Sequence, residues 1–310
     1  MAEKINFQES LAKIIDTKQP FSTGALYAFS NLEPENQARF EAAWPRIDVE
    51  RRRRVVMSLV ELAEDDIELE FTSVYFFLLK DQDPKVRGKA IEGLWEDESR
   101  ELLARLLEMV AKDPDAGVRE KVALGLGRFA YLAETGKLKE RWATRVRQGL
   151  FDRLHSDDSD ISRRALEALG YFGHDDQVIR AVQEGYNSDD ELIKASALKA
   201  MGRSINKRWL PEIGKELGSE EPSLRYEAAM AAGEMSADEL TQPVIRLVED
   251  EDREVQLAAI WALGQIGGSE SSRTLKAVSN GEDEVLANAA NEALTELAFA
   301  SNPLNATNNR

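Results

Sequence analysis

The sequence predicts an all-α protein, a right-handed α-solenoid of stacked helical hairpins. Three observations predict it. One short pattern recurs seven times between Asp81 and the C-terminus, its apolar positions follow the helical period, and no stretch alternates apolar and polar residues as a half-buried strand does. The units centre on Val86, Val118, Ile161, Ile193, Leu224, Val255 and Val285, at spacings of 32, 43, 32, 31, 31 and 30 residues. A regular period without composition bias marks an array in which each unit buries surface only against its neighbours.

In chain order, residues 1–45 are expected to form an atypical helical cap, because an array must cover its exposed ends. The array then occupies residues 46–299, with seven to eight repeats. The eighth would begin at Val55/Leu59/Val60/Ala63, with Leu69–Leu79 as a further apolar helix. Within each unit, an acid stands three places before the anchor: Asp83, Asp115, Asp158, Asp190, Glu221, Asp252 and Glu282. Proline follows it at Pro84 and Pro222, the first helical position, where a missing N–H costs nothing. The acid is therefore expected to cap a helix N-terminus. Positions 0, 4, 5 and 8 from each anchor are apolar and fall on one helical face, as in Ile161/Ala165/Leu166/Leu169. Glycine follows at position 9 in five units (Gly127, Gly170, Gly202, Gly233 and Gly264), which reads as a helix stop.

The other half of each period supplies a second helix: Glu101–Ala111, Trp142–Leu154, Gln177–Tyr186, Arg208–Leu217, Ala237–Val248 and Glu270–Val278. The long step from Val118 to Ile161 leaves room for an extra linker near Tyr131–Arg141, expected to bulge from one edge. Residues 300–310, rich in Asn, are expected to be disordered.

The net charge of −17 opposes nucleic acid and anionic membrane on average. Cysteine is absent, which removes disulfides, thiolate metal sites and cysteine nucleophiles. The first residues lack the uninterrupted apolar block of a signal peptide, and the longest apolar run is too short to span a bilayer. A cytoplasmic protein is the expectation.

The motif Asp-x-Asp-Pro-x-Val-Arg-x-x-Ala at Asp81–Ala90, echoed at Asp113–Val122 and Ser219–Ala228, resembles the HEAT repeat. The Ala-Leu-Gly endings at Ala168–Gly170 and Ala262–Gly264 resemble more narrowly the bacterial HEAT-like type named after the phycobilin lyases. That resemblance implies an armadillo-type superhelix. It also implies an inter-repeat ladder between the acid before the anchor and a basic residue after it. Arg87, Arg119, Lys194 and Arg225 match the basic position. Ser162, Gln256 and Leu286 do not, so the ladder is expected to break in the middle and at the C-terminal end.

Catalytic signatures are scarce. The two histidines, His155 and His174, are each alone, and a metal reading of His174 with Asp175 and Asp176 competes with a solvated turn at a helix start. Some HEAT-like proteins are di-iron hydroxylases built on His-Glu dipeptides, and no such dipeptide occurs here. Phosphate-binding glycine loops and nucleophile elbows are missing as well. No catalytic residue, cofactor or metal is therefore assigned.

The exposed stripe at positions 2, 3, 6 and 10 carries more information, and the resemblance implies that it lines the concave side. Its first zone is mixed in charge (Lys89, Glu92, Glu96, Glu120, Lys121). The middle zone is basic: Arg128, Arg163, Arg164, Lys199 and Arg203. The third is apolar and aromatic: Tyr226, Met230, Leu257 and Trp261. The basic residues either pair with acids such as Glu167 or accept an acidic segment or phosphate. Tyr226 and Trp261 are either packed between repeats or exposed as interface anchors. The Arg51–Arg54 tract reads as a solvated helix face beside Asp48, Glu50 and Glu61 rather than a nucleic-acid tract.

The leading functional reading is a non-catalytic scaffold or adaptor that binds an acidic or extended protein segment along the concave face. The alternatives are a bilin lyase or chromophore-handling subunit, implied only by the resemblance, and a HEAT-like nucleic-acid binder of the DNA glycosylase type. The basic stripe allows the last; the net charge opposes it.

Overall fold

The computed structural model describes residues 6–16 and 18–301, and no strand occurs among them. The chain is an all-α repeat protein of the solenoid class, divided into two compact units, Met1–Phe129 and Ala130–Arg310.

The first unit holds α1 (Phe7–Ile15), α2 (Pro34–Ala43), α3 (Val49–Asp65), α4 (Thr72–Leu78), α5 (Pro84–Gly93), α6 (Arg100–Lys112) and most of α7 (Ala116–Glu134). Its N-terminal portion packs through aromatic rings in series. Phe7 meets Phe29 at 5.7 Å, Phe29 meets Phe40 at 5.4 Å, and Phe40 meets Trp44 at 5.1 Å. Such pairs add to area burial through edge and offset contacts.

The arginine tract is not a solvated face. Arg51 is 1% exposed and donates to the carbonyls of Ile14, Gln19 and Lys13 at 2.9, 2.8 and 2.6 Å, clamping the end of α1. Arg52 pairs with Asp81 and Arg53 with Asp83, at 2.6 and 2.5 Å. Only Arg54 is exposed. A guanidinium is weakly hydrated and carries five donors, so it tolerates burial where carbonyls converge.

The second unit continues with α8 (Glu140–Phe151), α9 (Ser159–Leu169), α10 (Asp176–Tyr186), α11 (Glu191–Ser204), α12 (Leu210–Glu216) and α13 (Pro222–Glu234). It ends with α14 (Thr241–Arg246), α15 (Arg253–Ile266), α16 (Gly268–Ser279) and α17 (Glu284–Ser301). Helices α9, α11, α13, α15 and α17 pack side by side in that order, backed by even-numbered helices. Of the tail expected to be disordered, residues 302–310 lie outside the described residues, and α17 reaches Ser301.

The caps follow the predicted grammar. Asp83, Asp158, Asp190 and Asp252 each accept backbone N–H bonds at the start of α5, α9, α11 and α15. Glu221 makes no such bond, and Pro222 alone starts α13. The last unit is shifted by one residue. Asp283, not Glu282, accepts from the amides of Val285 and Leu286, both at 3.1 Å, while Val285 is 53% exposed. Cap acids Asp190, Glu221, Asp252 and Asp283 thus recur every 31 residues.

Four of the five position-9 glycines are not stops. α11, α13 and α15 run through Gly202, Gly233 and Gly264, α7 runs through Gly127, and α9 ends beside Gly170. Their role in the second unit is close approach. A Cβ on Gly170 would lie 2.5 Å from the Ala200 carbonyl oxygen, and one on Gly202 2.7 Å from the Ala231 Cα. The left-handed backbone that ends these helices falls three residues later, at Ile205 (φ 49°), Ser236 (φ 46°) and Gly267 (φ 74°). Only one of those three is glycine, so the repeat's turn signal is hidden.

The expected second helices are present, but two are fragmented. Pro211 and Pro243 lack the N–H that would continue a helix from upstream. A 3-10 turn at Lys207–Trp209 therefore precedes α12 and one at Asp238–Leu240 precedes α14, while a further turn at Leu247–Glu249 follows α14. The long step behaves differently from expectation too. α7 extends through Tyr131–Glu134, and only residues 135–139 form a loop, closed where Lys137 and Leu138 amides donate to the Leu132 carbonyl.

The ladder exists in two forms. Arg87 pairs bidentately with Asp113, and Arg225 with Asp250, each reaching the acid that opens the next unit. Arg119 has Ser156 in the corresponding place and donates instead to the Asp113 carbonyl. Lys194, with Ser219 in that place, turns to Glu216 at 3.0 Å. The second form joins a residue two before the anchor to the next cap acid, Arg53 to Asp83 and Arg253 to Asp283. The C-terminal end is therefore bridged by Arg253, from a position outside the expected ladder.

Candidate partner-binding face

In the second unit, the side-by-side packing of α9, α11, α13 and α15 brings positions 2, 3, 6 and 10 of successive units onto one face. Arg163, Arg164, Lys199, Arg203, Tyr226, Met230, Leu257 and Trp261 are all half-buried there. Arg128 belongs to the first unit, where it pairs with Glu98 at 3.1 Å and Glu96 at 3.3 Å.

The basic stripe is a mosaic of both charges. Glu167 on α9 has a side chain only 3% exposed and gathers its neighbours. Arg164 donates to it at 3.1 Å, the Ser196 hydroxyl at 3.0 Å, and Lys199 approaches to 3.7 Å. Arg163 bonds Asp160 at 2.8 Å and Ser196 at 3.3 Å. The Arg203 guanidinium lies 5.2 Å over the Tyr171 ring, which packs edge-on against Tyr131 at 5.6 Å. Cation–π contact of this kind holds a guanidinium without a carboxylate.

Farther along, Lys199, Tyr226, Met230 and Ala231 share a cleft of about 90 Å³ with Glu227 and Glu234. Burial pushes the Glu227 carboxyl above its ordinary range; Glu167 and Glu234 add to the shift, and Lys199 and Arg203 oppose it. Glu234 moves the same way, with burial again the main cause, although its side chain keeps contact with solvent. Burial thus outweighs the attraction of Lys199 and Arg203 for both carboxylates. Trp261 packs on the bare Gly233 backbone, where a Cβ would lie 2.5 Å from the indole ring. Its ring is seated between consecutive helices rather than standing free. Leu257 lies half-buried on α15 beside this group in sequence.

Glu167 is the acid that the sequence offers as a partner of the basic stripe, whereas Glu227 and Glu234 escaped it, although the same rule would have found them. They occupy positions 3 and 10 of their unit. Following charge sign along the stripe selected the cations and passed over the acids between them.

His174 stays exposed in its loop. Its neighbour Asp175 is committed to capping α10 through the Gln177 and Val178 amides and to an ion pair with Arg147. Among the described residues no three His, Asp or Glu side chains converge as a metal site, and the donors present do not fit one. No described helix is long and apolar enough to cross a membrane.

The profile of HEAT repeats matches residues 76–150 and 210–295, just over half of the sequence. The chain belongs to the HEAT-repeat family. Deoxyhypusine hydroxylase of Cryptococcus neoformans is 31% identical over 121 residues, which cover 38% of this chain and 33% of that protein. The matched region thus spans a third of that relative's length. The complex of CpcE and CpcF of phycocyanin lyase from a Nostoc species is similar in fold, with a TM-score of 0.53 at 14% identity, over 91% of this chain and 97% of that one.

Proposed function

We propose that this chain is a non-catalytic scaffold, and that the face of α9, α11, α13 and α15 binds an extended segment of a partner protein. The observation that carries the reading is the cleft shared by Lys199, Tyr226, Met230, Glu227 and Glu234. Aromatic and thioether side chains beside charges of both signs suit a protein surface, where apolar anchors supply affinity and charges set register. Because Arg164 and Lys199 already share Glu167, an acidic segment would have to compete for them. A segment anchored by apolar side chains, with a basic residue over Glu227 and Glu234, meets no such competition. The relatives lend the fold and not an activity, since one match spans a third of the hydroxylase and the other is a likeness of backbone.

The test is affinity capture from native extract on the full chain, with wild type compared against a Tyr226→Ser, Met230→Glu double variant. A partner retained by wild type and lost by the variant, at unchanged melting temperature, supports the reading. Equal retention by both would sink it. Incubation with free bilin tests the lyase alternative, and an absorbance shift on binding would overturn the non-catalytic assignment.

A further inference from the structure

The first unit carries a separate concavity far larger than the cleft on α13. A groove of about 1310 Å³ opens along α2, α4 and α6, and its surface joins two kinds of side chain. Phe76 and Phe77 of α4, both half-buried, line it with Leu32 and Ala104. Around these apolar residues stand Glu33, Glu41, Glu70, Asp97 and Glu101, none of them in an ion pair among the described residues. A sixth acid, Glu108, is already matched by Arg105 at 2.9 Å, which leaves Lys80 as the one unmatched cation of the lining.

The α2–α4 side of the groove is preformed. Gln37 on α2 donates to the Ser73 carbonyl at 3.2 Å and accepts from the Ser73 hydroxyl at 3.1 Å. The Asn31 amide bonds the Glu70 carbonyl at 2.8 Å, and the Glu70 amide bonds the Ser30 hydroxyl at 2.9 Å. Walls tied in this way lose little freedom when a ligand arrives.

Five unneutralised carboxylates beside aromatic rings exclude several occupants. Nucleic acid and anionic lipid would meet like charge. A metal ion would find no converging set of oxygens. A purely apolar segment would leave the rim unmatched, and a purely basic one would leave the phenylalanines wet. We propose that this groove docks a cationic amphipathic segment of a partner protein, with its Leu or Phe side chains against Phe76 and Phe77 and its Lys or Arg side chains on the acidic rim. This site is independent of the α9–α15 face, and either can fail without the other.

The probe is a fluorescein-labelled synthetic peptide in which Lys and Arg alternate in pairs with Leu and Phe, titrated into the full chain by anisotropy. One control peptide replaces Leu and Phe by Ser, and another replaces the basic residues by Glu. The expected result is saturable binding of the first peptide and at least about tenfold weaker binding of both controls. Glu33→Lys with Glu101→Lys, both at exposed positions, should weaken binding roughly tenfold, read at a temperature where the variant is shown to be folded. Glu184→Lys with Asp189→Lys, the same charge change on exposed acids of the second unit, should leave it unaltered. Phe76→Ser should also weaken it, read at a temperature where the variant is shown to be folded. No binding, equal binding of the Ser control, or an equal effect of the second-unit charge reversal would each overturn the proposal.

Discussion

Arg225 grips Asp250 with two hydrogen bonds of 2.7 Å, one from Nε and one from Nη2, each to a different carboxylate oxygen. Its remaining terminal nitrogen donates to the carbonyls of Ser219 and Glu220 at 2.9 and 3.0 Å. One side chain therefore closes its own inter-helix turn and reaches the turn of the next unit. Arg87 repeats the arrangement with Asp113, Asp81 and Gln82 in the first unit.

Replacing Arg225 by Ala is expected to cost about 3 kcal/mol, because it strands the Asp250 carboxylate, whose side chain is 7% exposed, and two carbonyls. Arg225→Lys should recover only part, since an ammonium cannot reproduce the planar fork. The loss should depend on pH. Burial would raise Asp250, but the hydrogen bonds from Arg225 outweigh it and hold the carboxyl below its usual range. A depressed carboxyl contributes stability above the ordinary carboxylate value and loses it as pH falls through the native value. Urea titrations of both proteins should accordingly diverge at pH 7 and converge in acid; a constant gap would show that the ion pair is not the source.

Two glycine-to-alanine substitutions should shift stability in opposite directions. At Gly170 the new methyl would meet the Ala200 carbonyl and Cα, backbone that cannot swing aside, and the cost is expected at about 1–3 kcal/mol. At Gly125, inside α7, a Cβ would find only ordinary contacts with Leu106 at 3.6 Å and Ile91 at 4.0 Å. Alanine there should stabilise by roughly 0.5–1 kcal/mol through helix propensity. Melting temperatures that move the same way for both would refute the close-approach role of position 9.

This contrast also shows what the sequence made legible. Cap acids and the apolar stripe are repeated chemical requirements, so counting along the chain found Asp83, Asp158, Asp190 and Asp252 in their roles. Glycine serves two requirements, left-handed backbone and bare surface, and the sequence alone does not separate them. The stop reading at Gly202 and Gly233 failed for that reason. On the candidate face, the periodicity located the helix positions, but the pairing of Arg164 and Lys199 around Glu167 depends on which neighbour each long side chain reaches. The clamp of Arg51 on the end of α1 was illegible for a stronger reason. Its partners are carbonyls, which every residue possesses.

Glu227→Gln is expected to raise stability at neutral pH. Burial lifts the Glu227 carboxyl above its ordinary value, so the native state holds the proton more tightly than the unfolded chain. Stability from such a group is present below the unfolded value and declines as pH rises through the native one. Glutamine imitates the protonated form and escapes that decline. Thermal melts from pH 4 to pH 8 should show the variant gaining on wild type as pH rises. A variant that loses ground at high pH would mean that Lys199 and Arg203 already neutralise this carboxylate.

Ile205 ends α11 with φ 49° and ψ 25°, a left-handed conformation that brings its Cβ against its own backbone. The side chain is 66% exposed, so little packing offsets the strain. The corresponding residue two units on is Gly267, which adopts positive φ without a Cβ. Ile205→Gly should therefore stabilise the chain by about 1 kcal/mol, the left-handed penalty of roughly 1–2 kcal/mol less the entropy of a freer unfolded backbone. Ile205→Asn, which tolerates this region and restricts the unfolded chain more, should do at least as well. Ser236→Gly, at the same repeat position, is a second reading of the same effect. Chemical denaturation of the three variants decides the matter, and a loss of stability at Ile205 would show that this isoleucine contributes more by contact than its backbone costs.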